Sequence, residues 1–440
     1  MSPLATVLEQ ATKLVVPPPA ERAKVSRLAR KLLLKTRLAA ERFPEARGVL
    51  MGGSFAKGTW LPNNVDLDIF VKIDPATPVG RFEKVGLDIG SAATRGYPIG
   101  KKYAQHPYTE ATIEGVRVNI VPCFAVKAGE WKSAADRSPY HVELVDGLPE
   151  DRKNQIRVLK LFMNGIGAYG AEIQRRGFSG YVAEVLVLKH GDFESVIRWF
   201  ADYSMPANGR MFSLPDPVDE GRDLGMAVSG DNLGRMVLAC REFLRGPSLA
   251  YFGEMKGKSH KSLDKDVYAV LFTHKELSED TLWGELRKTL KHVVRHLEVE
   301  GFAVARAMAA SDNISKSAIL LIPEFNKLPV VEQRVGPTVD RRKDVEAFIT
   351  TNSKQSRLVW VDDDARVRLL RPRRYTTLPD LLGDVIRGRA GPVGASKEIE
   401  VGMKKNGVVL RGRTLSRAAS SSKWLSEGIR EITSDAIGTR

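Results

Sequence analysis

The chain has 440 residues, of which 43% are hydrophobic and 28% are charged. This length is too great for one hydrophobic core and, at about 150 residues per domain, predicts about three domains. The apolar content excludes a chain that is disordered over most of its length. Lys and Arg total 68 against 53 Asp and Glu, a formal net charge of +15, which is typical of proteins that bind a polyanion such as nucleic acid.

The cysteines and the hydropathy exclude further classes of protein. Cys123 and Cys240 lie far apart inside apolar runs, which excludes a disulfide framework and a thiolate metal cluster. The N-terminus has no basic segment followed by an apolar one, and no apolar run approaches the roughly 18 residues that a membrane span needs. We therefore expect a protein of the reducing cytoplasm without a membrane partner.

The first 148 residues pass from a helical pattern to a strand pattern. A helix opens the chain, and after the prolines at 17–19 a basic helix is predicted from Ala20 to Phe43. Short apolar runs bounded by glycines then predict a mixed sheet, with a helix near Phe82 to Thr94. The predicted strands are Gly48–Met51, Val65–Lys72 and Thr112–Pro122.

Residues 149–255 are predicted to be helical and residues 256–390 to mix helices with strands. The helices of the first segment are Asp151–Asn164, Gly180–Phe200 and Ser229–Leu244. The second segment predicts a strand, a helix and two strands at Val267–Thr273, Thr281–Leu297, Phe302–Ala309 and Ser317–Ile322. Gly, Ser, Lys and Arg become frequent from 391 to 440, which predicts a basic extension of doubtful order.

The segment that starts at Gly52 has several features of a phosphate site. Gly52 and Gly53 follow a predicted strand and allow backbone N–H groups to approach an anion. Ser54 is predicted to cap the next helix, with its hydroxyl in reach of a phosphate. Lys57 adds a cation one turn later. Together these residues predict a triphosphate-binding turn.

Two carboxylates follow this turn on a predicted strand. Asp66 and Asp68 are two residues apart, so alternation puts both on one face while Leu67 and Ile69 pack on the other. Like charges this close raise each other's pKa unless a cation lies between them. Mg²⁺ prefers one or two carboxylates plus substrate phosphates. We therefore predict a Mg²⁺ site at Asp66 and Asp68; the alternative is a surface Asp-x-Asp beside a glycine-rich turn.

These residues resemble the nucleotidyltransferase superfamily that includes polymerase β, whose signature is a G-G/S turn, a helix and D/E-x-D/E on a strand. Five downstream segments are similar to the central domain of the archaeal, class I, CCA-adding enzymes (tRNA nucleotidyltransferases). These segments are Arg175–Tyr181, Asp216–Asp219, Asp231–Arg235, Cys240–Phe243 and Pro247–Leu249. The resemblance covers the chain from Met1 to about Leu382.

The resemblance implies an α/β multidomain fold and an enzymatic activity. Residues 1–148 would form a polymerase β-like catalytic head, 149–255 a helical central domain that binds nucleotide and tRNA, and 256–390 an α/β body and tail that bind tRNA, before the basic extension. The implied reaction is template-independent addition of CCA to the 3′ end of tRNA from CTP and ATP, with release of pyrophosphate. The implied partner is the tRNA acceptor arm, and a homodimer is left open. A poly(A) polymerase or oligoadenylate synthetase-like enzyme is the alternative.

The resemblance also assigns residues to the nucleotide. His106, Lys160 and Tyr169 would contact the triphosphate, and His141 would lie near the nucleotide. Arg235 would read the base edge, a role that suits a planar fork of paired donors. Judged from the residues alone, a turn histidine and a solvated lysine are the simpler interpretations of His106 and Lys160.

One position departs from the family pattern. The family has a third carboxylate in a V-x-V-D-x-V-P motif, and Val116–Pro122 carries Asn119 there, predicted to share a face with Arg117. A neutral ligand should weaken the hold on a cation that activates the attacking hydroxyl. Three interpretations compete: the Asn119 amide oxygen ligates metal, Glu110 or Glu114 replaces the acid, or the chain binds tRNA without catalysing. We favour the first.

Overall fold

The computed structural model describes residues 2–103, 105–205, 211–253, 258–391, 394 and 396–435. The chain divides into two compact units, whose described parts are 2–253 and 258–435. Within the described residues, no helix is both long enough and apolar enough to cross a membrane. The glycine turn and both predicted carboxylates lie in the first unit, which therefore receives most of the description below.

A five-stranded mixed sheet forms the N-terminal part of the first unit. Its strands are β1 (Ala46–Gly52), β2 (Asp66–Ile73), β3 (Ile99–Tyr103), β4 (Pro107–Ile113) and β5 (Val116–Phe124). Their order across the sheet is β1-β2-β5-β4-β3. Strands β2 and β5 run parallel, while the other neighbours are antiparallel. Strand β2 lies between β1 and β5, so its side chains have neighbours on both of these strands.

Helices cover the apolar face of this sheet. These helices are α2 (Pro19–Ala40) and α4 (Val79–Ala93), and α3 is a single turn at Gly53–Ala56. The first helix, α1 (Pro3–Val15), instead buries Ala11 and Val15 in a separate core. Leu67, Ile69 and Val71 of β2 are fully buried in one cluster with residues of α2 and α4. Each such side chain contributes about 1.5–3 kcal/mol when buried. The alternation predicted for β2 is thus observed, and the opposite face is left to Asp66 and Asp68.

The run predicted as a strand from Thr112 to Pro122 contains a turn. Glu114 and Gly115 have φ values of 55° and 81° and connect β4 to β5. Both values lie in the left-handed region, as a tight hairpin turn requires. Apolar residues lie on both sides of this turn, so their pattern predicts one strand where the chain forms two.

The rest of the first unit is mainly helical. Its elements are α5 (Ser138–Asp146), α6 (Glu150–Gly165), α7 (Gly180–His190), α8 (Phe193–Ala201), the short hairpin β6 (Pro215–Asp216) and β7 (Asp219–Asp223), and α9 (Gly230–Arg245). The prediction of one helix from Gly180 to Phe200 is wrong. Gly191 ends α7 with a φ of 105°, and the Asp192 side chain accepts from the Ser195 N–H to begin α8.

The second unit contains two antiparallel sheets. The first has the order β14-β8-β10-β9, with β8 (Tyr268–Thr273), β9 (Val304–Ser311), β10 (Lys316–Pro323) and β14 (Val408–Arg411). The second has the order β11-β13-β12, with β11 (Val331–Thr338), β12 (Leu358–Val361) and β13 (Arg366–Pro372). The helices are α10 (Glu279–Val299), α11 (Arg342–Asn352), α12 (Leu378–Ile386), α13 (Lys397–Asn406), α14 (Gly412–Ser420) and α15 (Lys423–Ile432). The predicted order of strand, helix and two strands is observed as β8, α10, β9 and β10.

The doubtful order predicted from residue 391 onward is wrong for 396–435. This segment forms three helices and β14, which pairs with β8. Ile399, Met403, Leu415 and Leu425 are buried in the cores of this unit. The average composition of the segment does not show that these few apolar residues are spaced as on the buried face of a helix. Residues 392, 393, 395 and 436–440 lie outside the described part, and the domain boundaries after 148, 255 and 390 remain predictions.

Candidate active site

The glycine turn lies directly against one of the predicted carboxylates. Strand β1 ends at Gly52, which pairs with Asp68, and Gly53 begins α3 with a φ of 64°. A Cβ built on Gly53 would lie 1.9 Å from Asp68 Oδ2. Only glycine allows this approach. Ser54 lies inside α3, and the predicted helix cap at Ser54 is wrong because Gly52 occupies the capping position.

Gly53→Ala is expected to lower the free energy of unfolding by about 1–3 kcal/mol or more, because alanine is strained at a positive φ and its methyl group would displace the Asp68 carboxylate. Urea denaturation measures this change. Gly80→Ala is the matched control, since Gly80 is near the start of α4 and a Cβ there meets no atom within 4 Å. Equal stability of the two variants would contradict this account of the turn.

Asp68 and Asn119 are neighbours across the parallel pair β2–β5. Register pairs Asp68 with Asn119, and Asn119 Nδ2 donates to Asp68 Oδ1 at 2.9 Å. The other amide atom, Asn119 Oδ1, is buried and has no hydrogen-bond partner among the described residues. An unpaired buried acceptor is costly, so this oxygen is suited to a ligand. The predicted direction of Asn119 towards the carboxylates is confirmed.

Asp66 has a cationic neighbour that the sequence analysis did not assign. Register pairs Asp66 with Arg117, whose Nε donates to Asp66 Oδ1 at 2.9 Å and whose Nη2 donates to Asp66 Oδ2. Burial raises the pKa of Asp68, and the Asp66 charge adds to this, while the Asn119 hydrogen bond opposes it. The two acids therefore lie in different surroundings, one paired with arginine and one buried beside an amide.

Glu110 and Glu114 were the candidates to replace the missing acid. Glu110 pairs with Asn119 in the β4–β5 register, and one of its oxygens lies 3.9 Å from Lys102 Nζ. Glu114 lies at the hairpin turn, 3.9 Å from Lys31 Nζ of α2. Within the described ranges no three His, Cys, Asp or Glu side chains are grouped to hold a metal ion. Neither glutamate therefore joins Asp66 and Asp68 in a three-carboxylate cluster.

Two predicted nucleotide-binding lysines share one buried carboxylate. Lys160 Nζ donates to Glu184 Oε1 at 2.7 Å and to Thr59 Oγ1 at 2.9 Å, and Lys57 Nζ donates to the other oxygen of Glu184. The Glu184 side chain is fully buried in α7. This cluster joins the turn after β1 to α6 and α7. The simpler interpretation of Lys160 as a solvated residue is therefore wrong.

The charges of this cluster are unequal, with two ammonium groups on one carboxylate. Burial alone would raise the pKa of Glu184, but the charges of Lys160 and Lys57 lower it to about 2. Burial lowers the pKa of Lys160 to about 8, which Glu184 only partly opposes. The cluster therefore carries an excess positive charge beneath the turn at which a polyanion is predicted to bind.

Tyr169 and Arg235 lie near this cluster. A Cβ built on Gly180 would lie 2.9 Å from the Tyr169 hydroxyl oxygen and 3.5 Å from Lys160 Nζ, so these groups meet at the start of α7. Arg235 of α9 lies near the loop after α6 that leads to Tyr169, because a Cβ built on Gly167 would lie 3.4 Å from Arg235 Nη1. Arg235 Nε is buried without a hydrogen-bond partner in the described chain. The structure thus brings Lys57, Lys160 and Tyr169 together, with Arg235 beside the loop that leads to Tyr169.

His141 belongs to an adjoining polar group. Its ring stacks on Tyr181 with centroids 3.7 Å apart, and the Tyr181 hydroxyl donates to Asp216 Oδ1 at 2.8 Å. Burial lowers the pKa of His141 to about 4, against the opposing charge of Asp216. His141 is therefore neutral at pH 7. Lys57 Nζ lies 5.4 Å from the Tyr181 ring centroid, which links this group to the lysine cluster.

His106 is placed elsewhere on the same domain. Its Nδ1 lies 3.0 Å from Glu83 Oε1, and its ring meets Phe82 edge to face at a centroid distance of 5.0 Å. Its other ring contact is Phe124 at the end of β5. These contacts join His106 to α4 and β5 rather than to the lysine cluster. Its predicted contact with the triphosphate remains a prediction.

Glu184 is the main residue that sequence reasoning missed. It was not selected because it lies in an apolar run of a central helix, 127 residues after Lys57. The apolar run itself indicates the burial of Glu184. Its neighbours Val182, Ala183, Val185 and Leu186 are buried in α7, and the one acid among them is buried as well. A buried carboxylate requires a cationic partner.

Comparison with known proteins agrees with these observations. Residues 36–141 match the model described as nucleotidyltransferase domain, and residues 154–253 match tRNA nucleotidyltransferase, second domain. Residues 264–412 match CCA-adding enzyme, C-terminal domain. The CCA-adding enzyme of Pyrobaculum neutrophilum is 34% identical over 89% of this chain and 95% of its own length. The chain belongs to the CCA-adding enzyme family.

Other relatives and solved structures extend the comparison. The CCA-adding enzyme of Halorubrum lacusprofundi is 33% identical over 88% of this chain and 92% of its own length. A solved cytoplasmic RNA terminal U-transferase is similar at a TM-score of 0.43 and 13% identity, over 58% of this chain and 99% of that one. The family assignment rests on the matched domains and the sequence relatives. It confirms the predicted α/β multidomain fold and the nucleotidyltransferase class of enzyme.

Proposed function

We propose that the chain adds C, C and A without a template to the 3′ end of tRNA, using CTP and ATP and releasing pyrophosphate. The observation that carries this proposal is the position of Asp68, whose carboxylate lies against the glycine turn between β1 and α3. Its support comes from the buried lysine cluster beside this turn. The alternative products of the superfamily, such as poly(A), differ in sequence and are distinguished by experiment.

Mg²⁺ is the proposed cofactor, and Asp66, Asp68 and Asn119 are the residues that would hold it. The donor set fits a hard cation, because it offers two carboxylates and the unpaired buried oxygen of Asn119. When bound, the ion would neutralise charge on the triphosphate and assist the attacking 3′ hydroxyl. Asn119 would thus serve as a neutral oxygen ligand, in line with the first of the three interpretations above.

The incoming nucleotide is proposed to lie between the glycine turn and the helices α6, α7 and α9. Gly53 and Ser54 offer backbone N–H groups at the start of α3, and the Tyr169 hydroxyl lies beside Lys160. The excess charge of Lys57 and Lys160 would attract the triphosphate. His141 and Arg235 would lie at the sugar and base. Positioning and charge neutralisation dominate phosphoryl-transfer chemistry.

The test of this function is the sequence of the product. The chain is incubated with Mg²⁺, CTP, ATP and tRNA that lacks its 3′ terminal CCA, and the extended tRNA is sequenced. The proposal expects C, C and A and then arrest. Runs of A would indicate a poly(A) polymerase, and tight tRNA binding without extension would indicate a binding protein without activity.

Binding of the tRNA acceptor arm is expected to weaken steeply with salt, since Lys and Arg would contact its phosphates. Six or more such contacts predict a loss of about 10³-fold in affinity between about 50 and 200 mM salt. Fluorescence anisotropy of labelled tRNA measures this slope. An affinity that hardly changes over this range would contradict a grip on the phosphate backbone.

A homodimer remains open, and a cytoplasmic location remains a prediction. Both cysteines are buried as free thiols, which agrees with a reducing compartment. Light scattering of the purified protein would measure its mass in solution. A mass of one chain, 48.6 kDa, would exclude the dimer.

A further inference from the structure

The carboxylate of Asp66 already has a cation. The β2–β5 register aligns Asp66 with Arg117, and both Asp66 oxygens accept hydrogen bonds from this one guanidinium. Such forked contacts fix a carboxylate in orientation as well as in charge. The side chains of Arg117 and Asp66 are 55% and 32% exposed, so incoming ligands can reach the pair.

Each register pair on this face of the sheet, such as Asp66 with Arg117, forms one row. The oxygen atoms that lack a protein cation lie in the next row, which consists of Asp68 and Asn119. Asp68 Oδ2 lies at the glycine turn, and Asn119 Oδ1 is buried without a partner in the described chain. Asn119 Nδ2 holds Asp68 through the other Asp68 oxygen, which orients both free oxygens. Carboxylate and amide oxygens are both ligands of hard cations, so these two atoms are the ones left for a cation beside the proposed triphosphate.

The ligands of these two pairs of residues favour one divalent ion over two. Asp66, Asp68 and Arg117 sum to one negative charge, and Asn119 adds none. Glu110, the next acid in the Asn119 row, lies 3.9 Å from its own cation, Lys102. A second divalent ion would have to displace Arg117 from Asp66, because the described residues bring no third carboxylate to these two pairs.

We propose that this site holds a single divalent cation and that the Arg117 guanidinium supplies the second positive charge, beside Asp66. The inference rests on the proposed function, because the cation is the one that accompanies the triphosphate. Asp68 and Asn119 are its principal protein ligands, and Asp66 is shared between the cation and Arg117. Arg117 is a positioning residue, since it acts by holding Asp66.

The test counts bound Mn²⁺, which replaces Mg²⁺ and is visible by electron paramagnetic resonance. The full chain is titrated with Mn²⁺ in the presence of saturating non-hydrolysable CTP analogue. We expect one bound ion per chain. The double variant Arg117→Ala/Asn119→Asp, which frees Asp66 and restores an acid, is expected to bind two. Arg47→Ala is the control, because Arg47 forms a similar pair with Asp74 outside the site, and it is expected to bind one.

The possible outcomes separate this inference from the proposed function. Two ions in the native chain, together with C and A addition to tRNA, would overturn the single-cation inference alone. No bound ion would overturn both. A folded double variant that still binds one ion would overturn the role of Arg117. If thermal unfolding shows that the double variant does not fold, the count in the native chain still decides the number of cations.

Discussion

Asp68→Asn is expected to reduce CMP incorporation into tRNA by about 10³-fold or more. The substitution keeps the shape of the side chain and removes its charge at the point where cation, triphosphate and glycine turn are proposed to meet. Asp68 Oδ2 lies at the Gly53 backbone, so no neighbouring carboxylate can take its place without moving the turn. Single-turnover incorporation of labelled CMP, with saturating Mg²⁺ and tRNA, measures the effect.

Asp74→Asn is the control for this variant. Asp74 directly follows β2 and accepts hydrogen bonds from Arg47, so it lies on the same segment but outside the site. We expect its incorporation rate to stay within about twofold of the native rate, since Asp74 lies outside the site and its partner Arg47 is 55% exposed. Similar losses in the two variants would mean that Asp68 acts only through folding. Unchanged activity of Asp68→Asn would remove it from the catalytic site.

Glu184→Gln is expected to lower the free energy of unfolding by about 3–5 kcal/mol. The substitution leaves Lys57 and Lys160 buried without an anionic partner, and Lys160 is almost fully buried. Urea denaturation at pH 7 measures the loss. The double variant Glu184→Gln/Lys160→Met removes one of the two stranded charges and is expected to recover part of the lost stability.

Glu194→Gln provides the comparison for a surface pair. Glu194 and Arg198 of α8 are 40% and 58% exposed, and such a pair contributes at most about 1 kcal/mol. We expect little change in this variant. A loss in Glu184→Gln no larger than in Glu194→Gln would show that the buried cluster is not a structural link between the turn after β1 and α7.

The pH dependence of stability gives a second readout of the same cluster. The pKa of Glu184 falls from 4.5 to about 2 on folding, so the unfolded chain binds more protons between these values. The contribution of Glu184 is therefore complete above about pH 4.5 and is lost as the pH falls towards 2. Glu184→Gln should lack this part of the acid dependence, whereas Glu194→Gln should retain it.

The residues that the sequence located share a local cause. The glycine turn, Asp66 and Asp68 occur within one short segment, where strand alternation and the needs of a tight turn decide the directions of the side chains. Asn119 could be placed by the same alternation on its own strand. The same reasoning did not predict the helix cap correctly. Gly53 has a positive φ and already belongs to α3, so Gly52 and not Ser54 occupies the capping position.

The residues that the sequence did not locate depend on register or on distant packing. Arg117 meets Asp66 only because β5 pairs with β2 at that register, across 51 residues of chain. Glu184 comes from a helix of the central region, and its pairing with Lys57 requires that helix to pack beneath the turn. Periodicity along the chain does not show which residues pair in either arrangement, since both pairings are fixed by tertiary contacts.

Anomalous diffraction from crystals of the native chain with Mn²⁺ and a non-hydrolysable CTP analogue tests the account most directly. It predicts a manganese peak within coordination distance, about 2 Å, of an Asp68 carboxylate oxygen and of the triphosphate, with phosphate oxygens at the backbone of Gly53 and Ser54. A peak remote from Asp68, or a triphosphate bound away from this turn, would contradict it.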